Sequence, residues 1–204
     1  MLHLPNCTLI AITGQNLDAH EKALEYSCRD IKFGDTRIVY DKGITNIDEW
    51  NYAVVYNLGQ YVSTDYALLF HPDGFVVNPK SWNPEWLNYD YIGAPWPLPT
   101  DDYSYRDING DIQRVGNSVG LRSKKLMDLP SKIDMPWREY YGNTNEDGFI
   151  SVHNRHIFED NGCKFAPFEV AIQFARETPL PENQGVKPFM FHRYAGENAN
   201  YPRF

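Results

Sequence analysis

Three carboxylates and one histidine stand where they could do chemistry: Asp73, Glu146, Asp147 and His192. Asp73 follows the apolar run Tyr66-Ala67-Leu68-Leu69-Phe70 within His71-Pro72-Asp73-Gly74. A carboxylate at the end of a buried strand is placed to hold Mn2+ or Mg2+. Both ions favour one or two carboxylates together with diphosphate oxygens. Pro-Asp-Gly is also a common turn sequence, so the residue types alone allow a plain turn. Glu146 and Asp147 are adjacent acids at the expected start of a helix, where the helix dipole favours negative charge. Either could instead take a proton from a hydroxyl. His192 lies in Lys187-Pro188-Phe189-Met190-Phe191-His192-Arg193, where it could serve as a remote metal or phosphate ligand with Lys187 or Arg193 beside it. His153 and His156 are three apart with no third ligand near them in sequence, and they read as structural.

Other chemistries lack their residues. No Gly-x-Gly-x-x-Gly follows the first strand, and no Gly-x-x-x-x-Gly-Lys-Ser/Thr or Gly-x-Ser-x-Gly occurs. The three cysteines, Cys7, Cys28 and Cys163, are scattered without metal-ligand spacing and read as reduced thiols. The sequon Asn6-Cys7-Thr8 then reads as chance.

The elements that must position these residues follow from periodicity. Residues 8–13 form a short β-prone run ending at Gly14, as a buried parallel strand does. Residues 18–31 read as a helix with Ala19, Ala23, Leu24 and Cys28 as its apolar stripe, closed by Phe33-Gly34. Residues 36–40 are a second strand. Asn46 caps a helix carrying Trp50, Ala53, Val54, Leu58 and Tyr61, and residues 66–70 are a third strand. This alternation predicts an α/β domain on a mostly parallel sheet flanked by helices. Ligands of such sheets sit at the carboxyl ends of the strands, here Thr13-Gly14 and His71 to Gly74. Residues 79–105 are rich in Pro, Trp, Tyr and Asp without a period, and a loop of that length is commonly functional. Residues 113–123 read as a strand interrupted by glycine, with Ser123 capping a helix over 124–129. Further helices are expected over 145–161 and 168–176, then an irregular tail from Gly185.

A chain of 204 residues suits a single domain. Its net charge of −8 argues against a nucleic-acid partner. No apolar run approaches a membrane span, and Met1-Leu2-His3-Leu4-Pro5 lacks signal-peptide character, so the expected location is cytoplasmic. Aromatics make up 15% of the residues, and many, among them Trp82, Trp96, Tyr103, Tyr105, Tyr140 and Tyr141, lie in polar surroundings suited to stacking on sugar rings or a base.

In order, the chain shows a βαβ half ending in an acidic turn, an aromatic loop, a Gly-Asn loop, an acidic pair opening a helix and a late histidine. It resembles a GT-A type glycosyltransferase, and within that group a family of small, uncharacterised predicted transferases. The matching stretches are Asp90-Tyr91-Ile92-Gly93-Ala94-Pro95-Trp96, the run from Val115 through Gly116, Asn117, Gly120 and Arg122 to Ser123, Glu146-Asp147, and Phe165-Ala166-Pro167 through Ala171, Phe174 and Glu177. The resemblance implies one GT-A domain over 1–204, with a nucleotide-binding half at 1–78 and an acceptor-side half at 79–204. It implies that Asp73 is the last acid of an Asp-x-Asp motif holding Mn2+ or Mg2+ and the donor diphosphate, with His71 in place of the first acid. It further implies that Thr13 and Gly14 hold the nucleotide, that Gly116, Asn117 and Arg122 line the donor, that Glu146 and Asp147 face the acceptor, and that His192 completes the metal shell. The implied activity is transfer of a hexose or deoxyhexose from a nucleotide-sugar, UDP-linked by resemblance, to a glycan or glycoconjugate hydroxyl. The rival readings are a nucleotidyltransferase, which needs basic residues near the first strand, and a non-catalytic carbohydrate-binding domain, which is usually all-β.

Overall fold

The computed structural model describes residues 1–140 and 145–204; Tyr141 lies outside the described residues. Its longest strand is β1 (Leu2–Thr13), buried at every position from Cys7 to Thr13. Both edges of β1 are paired in parallel, to β2 (Ile31–Tyr40) and to β3 (Tyr66–Leu69). Consecutive residues from Cys7 to Thr13 are buried, so neither face of that half meets water, which explains the unbroken apolar run. β2 begins five residues before the expected 36, because Gly34 does not end an element. A side chain there would place its Cβ 2.0 Å from the Pro5 carbonyl oxygen, so glycine is what lets β2 pass the Pro5 backbone.

Helix α1 (Leu17–Cys28) buries His20, Ala23 and Ser27, while Ala19, Leu24 and Cys28 are half-buried at its flanks. The buried face is thus partly polar. Ser27 donates to the Ala23 carbonyl and accepts from the Val76 amide, which makes a hydroxyl tolerable in the core. Helix α2 (Ile47–Tyr52) starts at Asn46, whose side chain accepts from the Glu49 amide at 3.0 Å, as its capping role predicts. It continues through a wide turn at Ala53–Asn57 and a tight one at Leu58–Tyr61, and Val54 and Leu58 fill the core on that side of the sheet.

The aromatic stretch holds a strand that lacks a period in the sequence. β4 (Tyr91–Pro95) is buried at all five residues, so no polar alternation marks it. Next comes β5 (Val115–Ser123), after which Ser123 caps α3 (Lys124–Lys132) by accepting from the Leu126 amide. The strand order is β2-β1-β3-β5-β4. β5 runs antiparallel to both β3 and β4, so the sheet is mixed, with four strands in one direction and β5 reversed between them. The reversal has a consequence for the site. Leu69, at the carboxyl end of β3, pairs with Gly120, so the amino-terminal part of β5 projects past that end.

The expected helix over 145–161 is three pieces: α4 (Glu146–Gly148), a wide turn Phe149–His153, and α5 (Arg155–Asp160) after a break at Asn154. The predicted last helix ends early, as α6 (Phe168–Phe174). The chain then forms β6 (Ala175–Arg176), which pairs in parallel with β7 (Met190–Phe191). This two-stranded piece carries the tail back to the main sheet, where Arg193 donates its amide to the Asp73 carbonyl at 2.8 Å. No helix among the described residues is long and apolar enough to cross a membrane.

Candidate functional site

Two clefts adjoin on the molecule, the first of them at the carboxyl ends of β1 and β3. The first, about 520 Å3, is walled by the loop after β1, the start of α2, the turn after β3, Ser118 and His192. Thr13 closes the loop after β1 by donating to the Gln15 carbonyl and accepting from the Gln15 amide. Gly14 is required there, because a Cβ would fall 1.8 Å from the Ile44 carbonyl oxygen. Asn16 adopts a left-handed φ of 53° and opens α1. Across the cleft, the Trp50 indole donates to the Ile12 carbonyl at 2.8 Å and lies 5.1 Å from the His71 ring.

Asp73 sits at the tip of a tight turn closed by two backbone bonds between His71 and Gly74, at 2.7 and 3.1 Å. It is therefore both a turn residue and a cleft residue. Its side chain is half exposed, and Oδ1 lies 3.9 Å from His192 Nε2. The His71 and His192 rings are 5.5 Å apart. Burial holds the His71 imidazole well below its ordinary range, and the neighbouring His192, His20 and Arg122 groups add to the effect. Burial also lowers His20, partly opposed by its bond to the Asn16 carbonyl. No lysine or arginine is among the described residues lining this cleft. Asp73 and His192 could hold a divalent ion together, since two ligands each about 2.1 Å from one ion can lie up to about 4.2 Å apart. No group of three His, Cys, Asp or Glu side chains arranged for a metal occurs among the described residues, so other coordination positions would fall to phosphate oxygens and water.

The second cleft, about 460 Å3, differs in lining. Trp96 stacks on Tyr105 with centroids 4.7 Å apart, and Tyr140 stacks on His153 at 4.1 Å. Tyr103, Asp147, Glu177 and Arg193 complete its polar rim and floor. Asp147 and Glu146 divide the roles of the acidic pair. Glu146 is buried and ion-paired to Arg122 at 2.8 Å, with 3% and 1% of the two side chains exposed. Asp147 faces the cleft. Burial raises its carboxyl well above the usual range, and the charges of Glu146 and Glu177 add to the rise against the Gly148 amide and Arg122.

Of the six residues expected to bind the donor, Thr13, Gly14 and Asp73 line the first cleft. Gly116, Asn117 and Arg122 stand behind the walls. A Cβ on Gly116 would lie 1.9 Å from the Trp96 ring, so this glycine seats the aromatic wall of the second cleft. Asn117 is 1% exposed and strained at a φ of 148°. Its side chain accepts from the Val119 amide, and its carbonyl accepts from the Tyr91 hydroxyl. In that stretch Ser118 is the residue that reaches the first cleft.

Glu177 carries no role in the sequence reading. Its Oε1 lies 3.5 Å from both His192 Nδ1 and Arg193 Nη1. Burial pushes its carboxyl up, but the nearby His192, the charge of Arg193 and the neighbouring Asn117 side chain bring it below its ordinary value. Consecutive residues thus face different clefts: His192 lines the first and Arg193, with a left-handed φ of 63°, lines the second. The signal for Glu177 is an acid directly after a short strand, whereas Asp73 follows β3 by four residues. It is hidden because 168–176 reads as one helix.

Residues 45–192 match the family described as "Protein of unknown function (DUF5672)". The chain belongs to this family. The DUF5672 match includes Asp73, Asp147, Glu177 and His192 and begins after the loop at Thr13. No curated protein matches the chain. Among solved structures, this DUF5672 chain is similar to a "glycosyltransferase involved in the glycosylation of the major capsid of PBCV-1". The identity is 13%, the coverage 95% of each chain and the TM-score 0.57. It is also similar to an active-site mutant of LgtC, at 13% identity over 91% of this chain and 86% of that one, with a TM-score of 0.48. The first likeness shows that the DUF5672 chain has a glycosyltransferase fold of the GT-A kind, an α/β domain with a mixed sheet flanked by helices.

Proposed function

We propose that this chain is a glycosyltransferase that binds a nucleotide-sugar, UDP-linked, in the first cleft and transfers its hexose or deoxyhexose to a hydroxyl of a glycan or glycoconjugate in the second. The observation that carries the reading is the shared wall: His192 beside Asp73 on one side, and Asp147 with Glu177 on the other. Leaving group and acceptor would then meet where the two clefts adjoin.

Thr13 and Gly14 present backbone to the nucleotide, and the Trp50 face and Ile47 offer a surface for the base. Bound between Asp73 and His192, Mn2+ or Mg2+ would supply charge neutralisation of the diphosphate as the sugar leaves. The chain itself offers little such charge, because His71 and His20 are held toward neutrality and no lysine or arginine is among the described lining residues. The same feature disfavours a nucleotidyltransferase, whose triphosphate needs more positive charge. The helices packed on the sheet disfavour a purely β carbohydrate-binding domain.

In the second cleft, Asp147 takes the proton of the attacking hydroxyl. Its raised affinity for a proton suits a general base working near neutral pH. Glu146, fixed to Arg122, holds the backbone of α4 in place and keeps negative charge behind Asp147. The stacked pairs Trp96–Tyr105 and Tyr140–His153 present aromatic surface to a sugar ring. A thermal-shift screen of UDP-, GDP- and dTDP-sugars, with and without Mn2+, tests the reading. A rise in melting temperature is expected for UDP-sugars with Mn2+. No response to any nucleotide would sink it.

A further inference from the structure

Glu177 touches both clefts, and its contacts suggest a task distinct from proton transfer. His192 offers two ring nitrogens. Nε2 points toward Asp73 at 3.9 Å, and Nδ1 lies 3.5 Å from Glu177 Oε1 on the opposite edge of the ring. Nδ1 is buried and has no completed hydrogen bond among the described residues, so Glu177 is the acceptor within reach. A histidine that coordinates an ion through one nitrogen commonly gives the other N–H to a carboxylate, which fixes the tautomer and strengthens the ligand. Hydrogen bonds at such sites are often long without ligand and shorten on binding.

Glu177 is itself held. Its side chain is 14% exposed, Arg193 lies 3.5 Å away, and the strained, buried Asn117 stands beside it. Asn117 is anchored in turn by Tyr91 and Val119. This chain of contacts aims one carboxylate at the rear of the His192 ring, so the strain at Asn117 gains a purpose.

We propose that Glu177 is a positioning residue for His192: it holds the ring with Nδ1 protonated and turns the Nε2 lone pair toward the divalent cation shared with Asp73. The proposal rests on the donor-site reading above. The carboxylate forms no covalent bond and takes no proton from substrate in this role.

The test measures Mn2+ binding in the presence of UDP, using calorimetry and electron paramagnetic resonance of free Mn2+ with the full chain. Glu177→Gln keeps size and fold while removing the charge. Its Mn2+ affinity is expected to fall about 10- to 100-fold, with metal-free UDP affinity unchanged. The 14N coupling of bound Mn2+ in spin-echo spectra should weaken as His192 loses its orientation, which a purely structural residue would not cause. Glu182→Gln, a carboxylate outside both clefts, should bind Mn2+ as wild type does. Wild-type Mn2+ affinity and 14N coupling in Glu177→Gln, alongside loss of binding in Asp73→Ala, would overturn the Glu177 role alone. Equal Mn2+–UDP binding by wild type and Asp73→Ala, or none by either, would overturn the donor-site reading and this inference with it.

Discussion

The two clefts lie side by side and are built from opposite materials. The first is made of strand ends: the loop after β1, the turn after β3, one serine of β5 and a histidine after β7. Among the described lining residues, its titratable side chains are three imidazoles and one carboxylate. The second is made of turns and broken helix, with two stacked aromatic pairs over two carboxylates. A site of short loops and imidazoles suits a polyanion that brings a cation with it. A site of ring faces and acids suits a neutral, hydroxyl-rich molecule that must lose a proton. The difference teaches that charge at this end of the sheet is divided between the two clefts, with His192 and Arg193 marking the border.

Substitutions should separate the two halves. The largest effect is expected for Asp147→Asn, which should lower the transfer rate by about 10²- to 10⁴-fold. Mn2+-dependent UDP binding, read by calorimetry, should hardly change, and parallel loss of both would dissolve the division. Next, Asp73→Ala should weaken Mn2+-dependent UDP binding by about 100-fold or more, the loss of a direct ligand exceeding that of a supporting one. A sugar acceptor titrated into the second cleft by tryptophan fluorescence should bind this variant as it binds wild type. Gly14→Ala should destabilise the fold by about 1–3 kcal/mol, because its methyl would meet the Ile44 carbonyl; chemical denaturation measures this. Tyr103→Ala, at an exposed rim position, should raise acceptor KM by roughly 3- to 10-fold, the scale of one aromatic contact, and leave donor KM alone.

The acidity of Asp147 sharpens the contrast further. Its folded carboxyl binds a proton more tightly than the unfolded chain does. Its contribution to stability is therefore complete below the ordinary aspartate range and is lost as pH rises through the raised value. Asp147→Asn should consequently melt higher than wild type at pH 8, with the difference closing toward pH 4. Turnover should follow the reverse course, falling in wild type as acid protonates the base. A variant that is inactive yet more stable at pH 8 is the expected signature, and lower stability across that whole pH range would contradict it.

Much of the first cleft is legible in the chain. Strand ends announce themselves where apolar runs stop, and Thr13, Gly14 and Asp73 are found that way. The caps Asn46 and Ser123 are equally readable, since each needs only its own side chain and an amide three residues on. The second cleft is harder, because its members come from distant segments with no shared period. β4 escapes notice because burial on both faces erases alternation. Gly34 looks like a stop and is a point of close approach. Arg122 looks like a donor ligand and is enclosed with Glu146. The break after Phe174, which exposes Glu177, depends on β6 pairing with β7, a contact no local pattern encodes.

Gly74 poses a question of tolerance. A Cβ there would lie 2.5 Å from a Val119 methyl, 2.9 Å from the His192 ring and 3.1 Å from the Phe191 carbonyl. Two other stretches of chain, β5 and the segment around His192, therefore converge on a space that one methyl group would fill. Because His192 is one of the atoms' owners, evolution cannot enlarge this residue without also tilting the imidazole. The vacancy at Gly74 thus acts as a gauge: it sets how near the tail can come to the turn that bears Asp73, and so the bite of the pair that faces the cleft.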